Sequence, residues 1–202
     1  MTTEPTPNQN QNRNRNRTPH PHPDPHPHPH PRPRPRPTTR LTLRPFLPAD
    51  RPLLRGWITT EAELVTWAGN GFRWPLDDAQ LDAYAADPGR HTWTAVPSHA
   101  AAGPDRPLGH VSLAGSRLGR VLIAPEARGR GLGEALVSLV IERAFGELGL
   151  PSLDLGVWAH NTAALRLYEK LGFHTERVLA DVEQVDGVPW TAVQMRLDAA
   201  RR

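Results

Sequence analysis

Hydrophobic and polar positions change their spacing several times along this chain, and each change predicts an element. From Arg40 to Arg44 the pattern alternates, with Leu41 and Leu43 on one side, as in a first strand. Helical spacing follows from Asp50 to Trp57, from Glu61 to Trp67 and from Asp77 to Ala86. Asp50 and Asp77 stand where a carboxylate can cap free helical N–H groups, and Pro52 suits a first turn. The Gly69-Asn70-Gly71 cluster and Pro75 interrupt these helices and leave an aromatic-rich loop. Its Phe72 and Trp74, with Trp67 just before it, are expected to form the apolar wall of a substrate pocket.

Extended segments come next: His91 to Val96, Leu108 to Ala114, and Arg117 to Ile123, separated by a Pro/Gly-rich turn ending at Pro107 and by Gly115-Ser116. Leu132, Leu136, Leu139, Val140, Ala144 and Leu148 then recur at helical spacing, predicting a helix from Gly131 to Leu148 that Gly149 and Pro151 stop. A strand from Leu153 to Val157, a helix from Asn161 to Leu171 closed by Gly172, and strands from Phe173 to Ala180 and Pro189 to Leu197 complete the series. Asp186-Gly187 is a good hairpin turn between the last two. The fold class is α/β (α+β): a mixed, mainly antiparallel twisted sheet of about six to seven strands, flanked by helices, with one internal βαβ unit.

The first 37 residues obey neither period. They run from Asn/Gln/Arg into a stretch where every second residue from Pro19 to Pro37 is proline. Alternating proline removes backbone donors and favours polyproline II, and no apolar side chains are present to offset chain entropy. Residues 1–37 are therefore expected to be a disordered tail, with one folded domain over 38–202. The five histidines from His20 to His30 are held apart by prolines without fixed geometry, so no metal site is expected.

The formal charge of +3 changes meaning once divided. Six tail arginines against Glu4 and Asp24 give the tail +4, which leaves the folded part near −1 with no basic face for nucleic acid. The absence of cysteine excludes disulfides, thiolate metal sites and a cysteine nucleophile. No apolar leader and no run long enough to span a membrane is present. A cytoplasmic protein without membrane or nucleic-acid partners is expected, as a monomer or homodimer.

The candidate chemistry lies in Val121 to Leu136, where an apolar strand enters a glycine-rich turn that opens directly into a helix. Gly129, Gly131 and Gly133 let backbone N–H groups approach a phosphate, and the helix dipole points at the same place. Arg128 and Arg130 add cations suited to phosphate oxygens. The nucleotide-binding pattern G-x-x-x-x-G-K-[ST] is absent, and Glu134 stands where a dinucleotide fingerprint from Gly129 needs glycine or alanine.

Arg128-Gly129-Arg130-Gly131-Leu132-Gly133 resembles the R-x-x-G-x-G signature of the GNAT superfamily of N-acetyltransferases. Further on, Leu155 to Phe173 resembles that family's second element, a strand and helix ending in N-x-x-A-x-x-x-Y-x-x-x-G-F, here Asn161, Ala164, Tyr168, Gly172 and Phe173. Within the superfamily the opening L-T-L-R-P-F and the segment near Trp74 look most similar to the ribosomal-protein-type members. The resemblance implies acetyl transfer from acetyl-coenzyme A to a primary amine, either a protein N-terminus or a small molecule. It implies that the backbone of Val121, Leu122 and Ile123 and the loop of Arg128, Gly129, Arg130, Gly131, Leu132 and Gly133 hold the coenzyme, with Asn161 contacting it and Tyr168 as general acid. Glu126, His110 and Asp154 are weaker options for a base, and none is assigned. The rival expectation is a non-catalytic acyl-coenzyme-A sensor of the same fold.

Overall fold

The computed structural model of this chain describes residues 39–98 and 106–201, all within one compact unit, Pro37–Arg202. The expected tail, residues 1–37, lies outside the described residues, as does most of the turn ending at Pro107. Strands β1 (Leu41–Pro45), β2 (Arg90–Pro97), β3 (Gly109–Ala114), β4 (Arg117–Ile123), β5 (Ser152–Trp158), β6 (His174–Val185) and β7 (Val188–Asp198) form the sheet. Their order is β1-β2-β3-β4-β5-β7-β6, and every neighbouring pair is antiparallel except β4 with β5. The helix between these two, α4 (Leu132–Glu142), makes the expected βαβ unit.

Helices α1 (Arg51–Trp57), α2 (Glu61–Ala68) and α3 (Asp78–Ala85) all fall between β1 and β2 and share a core of their own, in which Leu54, Leu64, Trp67, Leu81 and Tyr84 are buried. The larger core gathers α4 and α5 (Thr162–Lys170) against the strands through Leu136, Val137, Ile141 and Tyr168. Each buried aliphatic side chain of this kind contributes roughly 1.5–3 kcal/mol, so both cores hold the sheet between them.

The ladder between β3 and β4 is broken by a bulge. His110 pairs with Leu122 and Ser112 with Gly119, so Val111 faces two residues, Arg120 and Val121. Arg120 takes φ 56 to make this bulge, a conformation uncommon for a residue with a side chain. The extra residue resets the alternation: Leu118, Val121 and Ile123 all meet the larger core, while Leu122 turns to the core of α1–α3.

Most predicted boundaries agree with the structure within one or two residues. Asp77 caps α3 by accepting the Gln80 N–H at 2.8 Å, and Asp186 and Gly187 both have positive φ, 52 and 75, as a two-residue hairpin turn of matching twist requires. Asp50 is a correction. It precedes α1 but makes no side-chain cap; it is 5% exposed and faces inward, accepting two N–H groups of Arg44 at 2.7 and 2.9 Å, the Leu47 N–H at 2.9 Å and the Thr94 hydroxyl at 2.8 Å. Burial raises its pKa, but these four donors outweigh it and the net shift is downward. The long helix is also shorter than its apolar spacing implies: regular turns end at Glu142, a wider π-helical turn covers Arg143–Glu147, and Leu148 is 41% exposed.

Candidate active site

Parallel strands β4 and β5 pair at a single position, Arg117 with Asp154, and then separate. Helix α2 ties the two strands across the gap. The Trp67 indole N–H donates to the Arg120 carbonyl on β4 at 2.9 Å, and the Trp158 indole N–H on β5 donates to the Val65 carbonyl at 3.0 Å. Both bonds are part-buried; the Val65 carbonyl also accepts the Gly69 N–H, so the Trp67 bond is the one whose loss orphans a carbonyl, at about 1–3 kcal/mol. Between the separated strands opens a cleft of about 360 Å³, bounded by α2, β4, β5, β6 and β7.

The glycine-rich turn joins the end of β4 to α4. Gly129 and Gly131 have φ 73 and 75, which a residue with a Cβ adopts at a cost of roughly 1–2 kcal/mol. Gly131 is the N-cap of α4 and supplies no side-chain acceptor. The helical ladder begins with the Ala135 N–H on the Gly131 carbonyl at 3.2 Å, so the amide hydrogens of Leu132, Gly133 and Glu134 stand at an open helix end. The Arg128 Nε–H folds back on the Ile123 carbonyl at 3.1 Å and fixes the turn against the strand, and Arg130 is exposed. Gly133 serves differently from the other two: a Cβ there would lie 3.1 Å from Leu167 Cδ1, so its lack of side chain lets α5 pack against α4. The turn thus presents what a diphosphate requires, unpaired backbone donors at a positive helix end.

Helix α5 carries the other expected residues. The Asn161 side-chain oxygen accepts the Ala164 N–H at 3.2 Å and so caps the helix, which leaves its amide N–H₂ for any other contact. Tyr168 is buried, its ring edge-on to Phe173 with centroids 5.7 Å apart. Its hydroxyl makes no hydrogen bond among the described residues, and burial pushes its pKa up to about 12, so the phenol stays protonated at neutral pH.

The three aromatic residues expected to form one wall are separated. Trp67 lines the cleft. Phe72 does not; it stacks on Trp67, with centroids 5.3 Å apart, and supports it from behind. Trp74 is 40% exposed and does not line the cleft. Hydrophobicity alone does not distinguish a lining ring from a supporting one.

None of the residues weighed as a base lines the cleft. Glu126 is exposed and pairs with Arg106 at 3.3 Å. Asp154 accepts the Ser116 hydroxyl at 2.8 Å. His110 is 2% exposed, with Nε2 3.0 Å from the Tyr84 hydroxyl, and burial pushes its pKa down to about 3.

The cleft instead contains residues that the sequence alone did not single out. Arg117 crosses its floor, donating to Gln194 Oε1 at 2.8 Å, and Gly156 leaves the space for this crossing, since a Cβ there would lie 2.6 Å from Arg117 Nη2. Arg120 lies beside Phe72 and Tyr84, its guanidinium carbon 5.2 and 5.5 Å from their ring centres. Glu183 is the acidic side chain among the described lining residues. Two arginines within the otherwise apolar strand Arg117–Ile123 were the available signal. Among the described residues no group of three or more His, Asp or Glu is arranged to hold a metal ion, and no helix is long and apolar enough to cross a membrane.

Known proteins resemble this chain in sequence and in fold. A mycothiol acetyltransferase of Rhodococcus erythropolis is 38% identical over 58% of this chain and 36% of its own length. A peptidyl-lysine N-acetyltransferase of Salmonella typhimurium is 32% identical over 52% of this chain and 62% of its own. The chain spans between 21% and 62% of the length of such curated relatives. A Vibrio cholerae spermidine N-acetyltransferase, solved with coenzyme A and spermine, shares the fold with a TM-score of 0.68 at 19% identity, over 80% of this chain and 96% of that one. None of these is a ribosomal-protein-type enzyme, so that finer likeness finds no support. The model of the acetyltransferase (GNAT) family matches residues 61–173, more than half of the sequence and the stretch from α2 to the end of the Tyr168 helix, and the chain belongs to that family.

Proposed function

We propose that this protein transfers an acetyl group from acetyl-coenzyme A to a primary amine by direct attack. The observation that carries the reading is the single-position pairing of β4 with β5, which opens a cleft along the strand that runs on into the glycine-rich turn before α4. The turn from Arg128 to Gly133 holds the diphosphate, and the edges of Val121, Leu122 and Ile123 freed from β5 hold the pantetheine arm. Asn161 adds its amide N–H₂. The amine enters from the cleft, with Trp67 and Trp158 as its walls.

In the reaction the amine nitrogen forms a bond to the thioester carbonyl carbon, and the carbon–sulfur bond breaks. One proton leaves the nitrogen and one reaches the departing sulfur. Tyr168 donates the second, its neutral phenol suiting that role at any pH well below about 12. Glu183 takes the first, directly or through water, as the acidic group lining the cleft. An α-amine, with a reference pKa of about 7.7–8.0, needs less of this help than a lysine at about 10.4.

A thermal-shift titration followed by an amine panel tests the proposal. Acetyl-coenzyme A at 100 times its Kd should add about 2.7 kcal/mol of stability, and thiol release should require an amine. Absence of both overturns the reading, and binding without thiol release to any amine selects the sensor.

A further inference from the structure

Arg120 is half-buried, and among the described residues no anion pairs with it. Its Nε is buried without a hydrogen-bond partner, and among the described residues its guanidinium makes neither hydrogen bond nor ion pair. Its guanidinium carbon lies over the faces of Phe72 and Tyr84, and the missing side chain of Gly71 leaves room for its Nη2. Burial, first among the causes, lowers its pKa, with Tyr84 acting in the opposite direction, and no carboxylate is among the groups that act on it. The bulge that places Arg120 costs backbone energy, at φ 56. Arg120 is among the residues that line the cleft, as is Arg117 on the same strand.

Glu183, on β6, supplies the opposite sign in the same cleft, and neither arginine forms an ion pair with it within 4.0 Å among the described residues. Its carboxylate accepts only the Gln184 N–H, at 3.2 Å. A cleft with cations on one strand and an acid on another fits a molecule with both charges. A polycation would meet two arginines in the same cleft.

We infer that the acceptor is zwitterionic, a primary amine carrying a carboxylate, with the carboxylate bound by Arg120 and Arg117 and the ammonium directed to Glu183 before it loses its proton. The inference rests on the acetyl-transfer reading and names the acceptor class for it. Guanidinium suits the task because its planar donors match two carboxylate oxygens together, and the aromatic faces around Arg120 fix its plane.

The test reads binding separately from turnover. N-acetylated α-amino acids, as product mimics, are titrated against their matched N-acetyl amides, with calorimetry and the fluorescence of Trp67 and Trp158 as signals. The acids should bind at least 10-fold tighter than their amides. In Arg120→Met, which keeps the apolar contacts and removes the charge, that ratio should fall to near one while amide binding is unchanged. Should Arg120→Met fail to fold, Arg117→Gln, at an exposed side chain, should reduce the same ratio several-fold. Equal binding of acid and amide, no binding of any acid, or equal weakening of both in the variants overturns the inference. A parallel acetyl-coenzyme A titration separates the two readings: coenzyme binding and acetylation of carboxylate-free amines, without preference for acids, sinks this inference and leaves acetyl transfer standing.

Discussion

Replacing Tyr168 by phenylalanine separates chemistry from packing more cleanly than any other single change. The residue is buried and its hydroxyl makes no hydrogen bond among the described residues. The hydroxyl is unpaired yet keeps contact with solvent, so Tyr168→Phe should change stability by less than about 0.5 kcal/mol. For a domain of this size each kcal/mol moves the midpoint by about 2–4 °C, and the edge-on contact with Phe173 at 5.7 Å remains. Turnover should fall. Loss of a general acid lowers kcat by about 10²–10⁴-fold, or about 3–5 kcal/mol in barrier at 1.36 kcal/mol per decade. Coenzyme affinity should be nearly intact, because the phenol is distant in role from the diphosphate turn. The assay is steady-state thiol release alongside calorimetric titration of acetyl-coenzyme A and a melting curve. Wild-type kcat in a folded variant would remove Tyr168 from the mechanism, and a lowered midpoint would show that its hydroxyl has a structural partner.

Gly131→Glu should abolish binding of acetyl-coenzyme A measured by calorimetry, since it forces a side chain into φ 75 and sets a carboxylate at the helix end proposed to hold phosphate. Trp67→Phe should lower the melting midpoint by a few degrees, through about 1–3 kcal/mol for the orphaned Arg120 carbonyl, and weaken acceptor binding more than coenzyme binding in paired titrations. His110 gives a pH dependence. Its folded pKa, about 3, lies below the usual 6.5, so the unfolded chain takes up the proton first and stability falls as pH drops from 6.5 toward 3. Denaturant curves should show wild type losing about 1.4 kcal/mol per pH unit more than His110→Gln across that window; parallel losses would contradict the buried neutral imidazole.

Much of this molecule could be read locally. The glycines at 129 and 131 need left-handed φ, Asp77 caps the residues just after it, and Asp186-Gly187 turns a hairpin, each through groups a few residues apart. Asp50 shows the limit. In sequence it is a cap, but Arg44 and Thr94 offer it stronger, charge-assisted and buried partners, Thr94 from a strand 44 residues away. The acceptor side was less legible for the same reason. Trp67 and Phe72 differ in role because the Trp67 indole N–H reaches the Arg120 carbonyl while Phe72 packs on the Trp67 ring, and the importance of Arg120 depends on Phe72 and Tyr84 arriving from other elements.

The sequence by itself determined the order of strands and helices, the family and the glycine-rich turn between β4 and α4, because hydrophobic period and backbone freedom are properties of neighbouring residues. Only the tertiary structure decided where β4 parts from β5, which charges face the opening, and which tryptophans close it. Those depend on a one-residue bulge and on bonds between distant segments, such as Trp158 to Val65, 93 residues apart, whose energies exist only once the chain is packed.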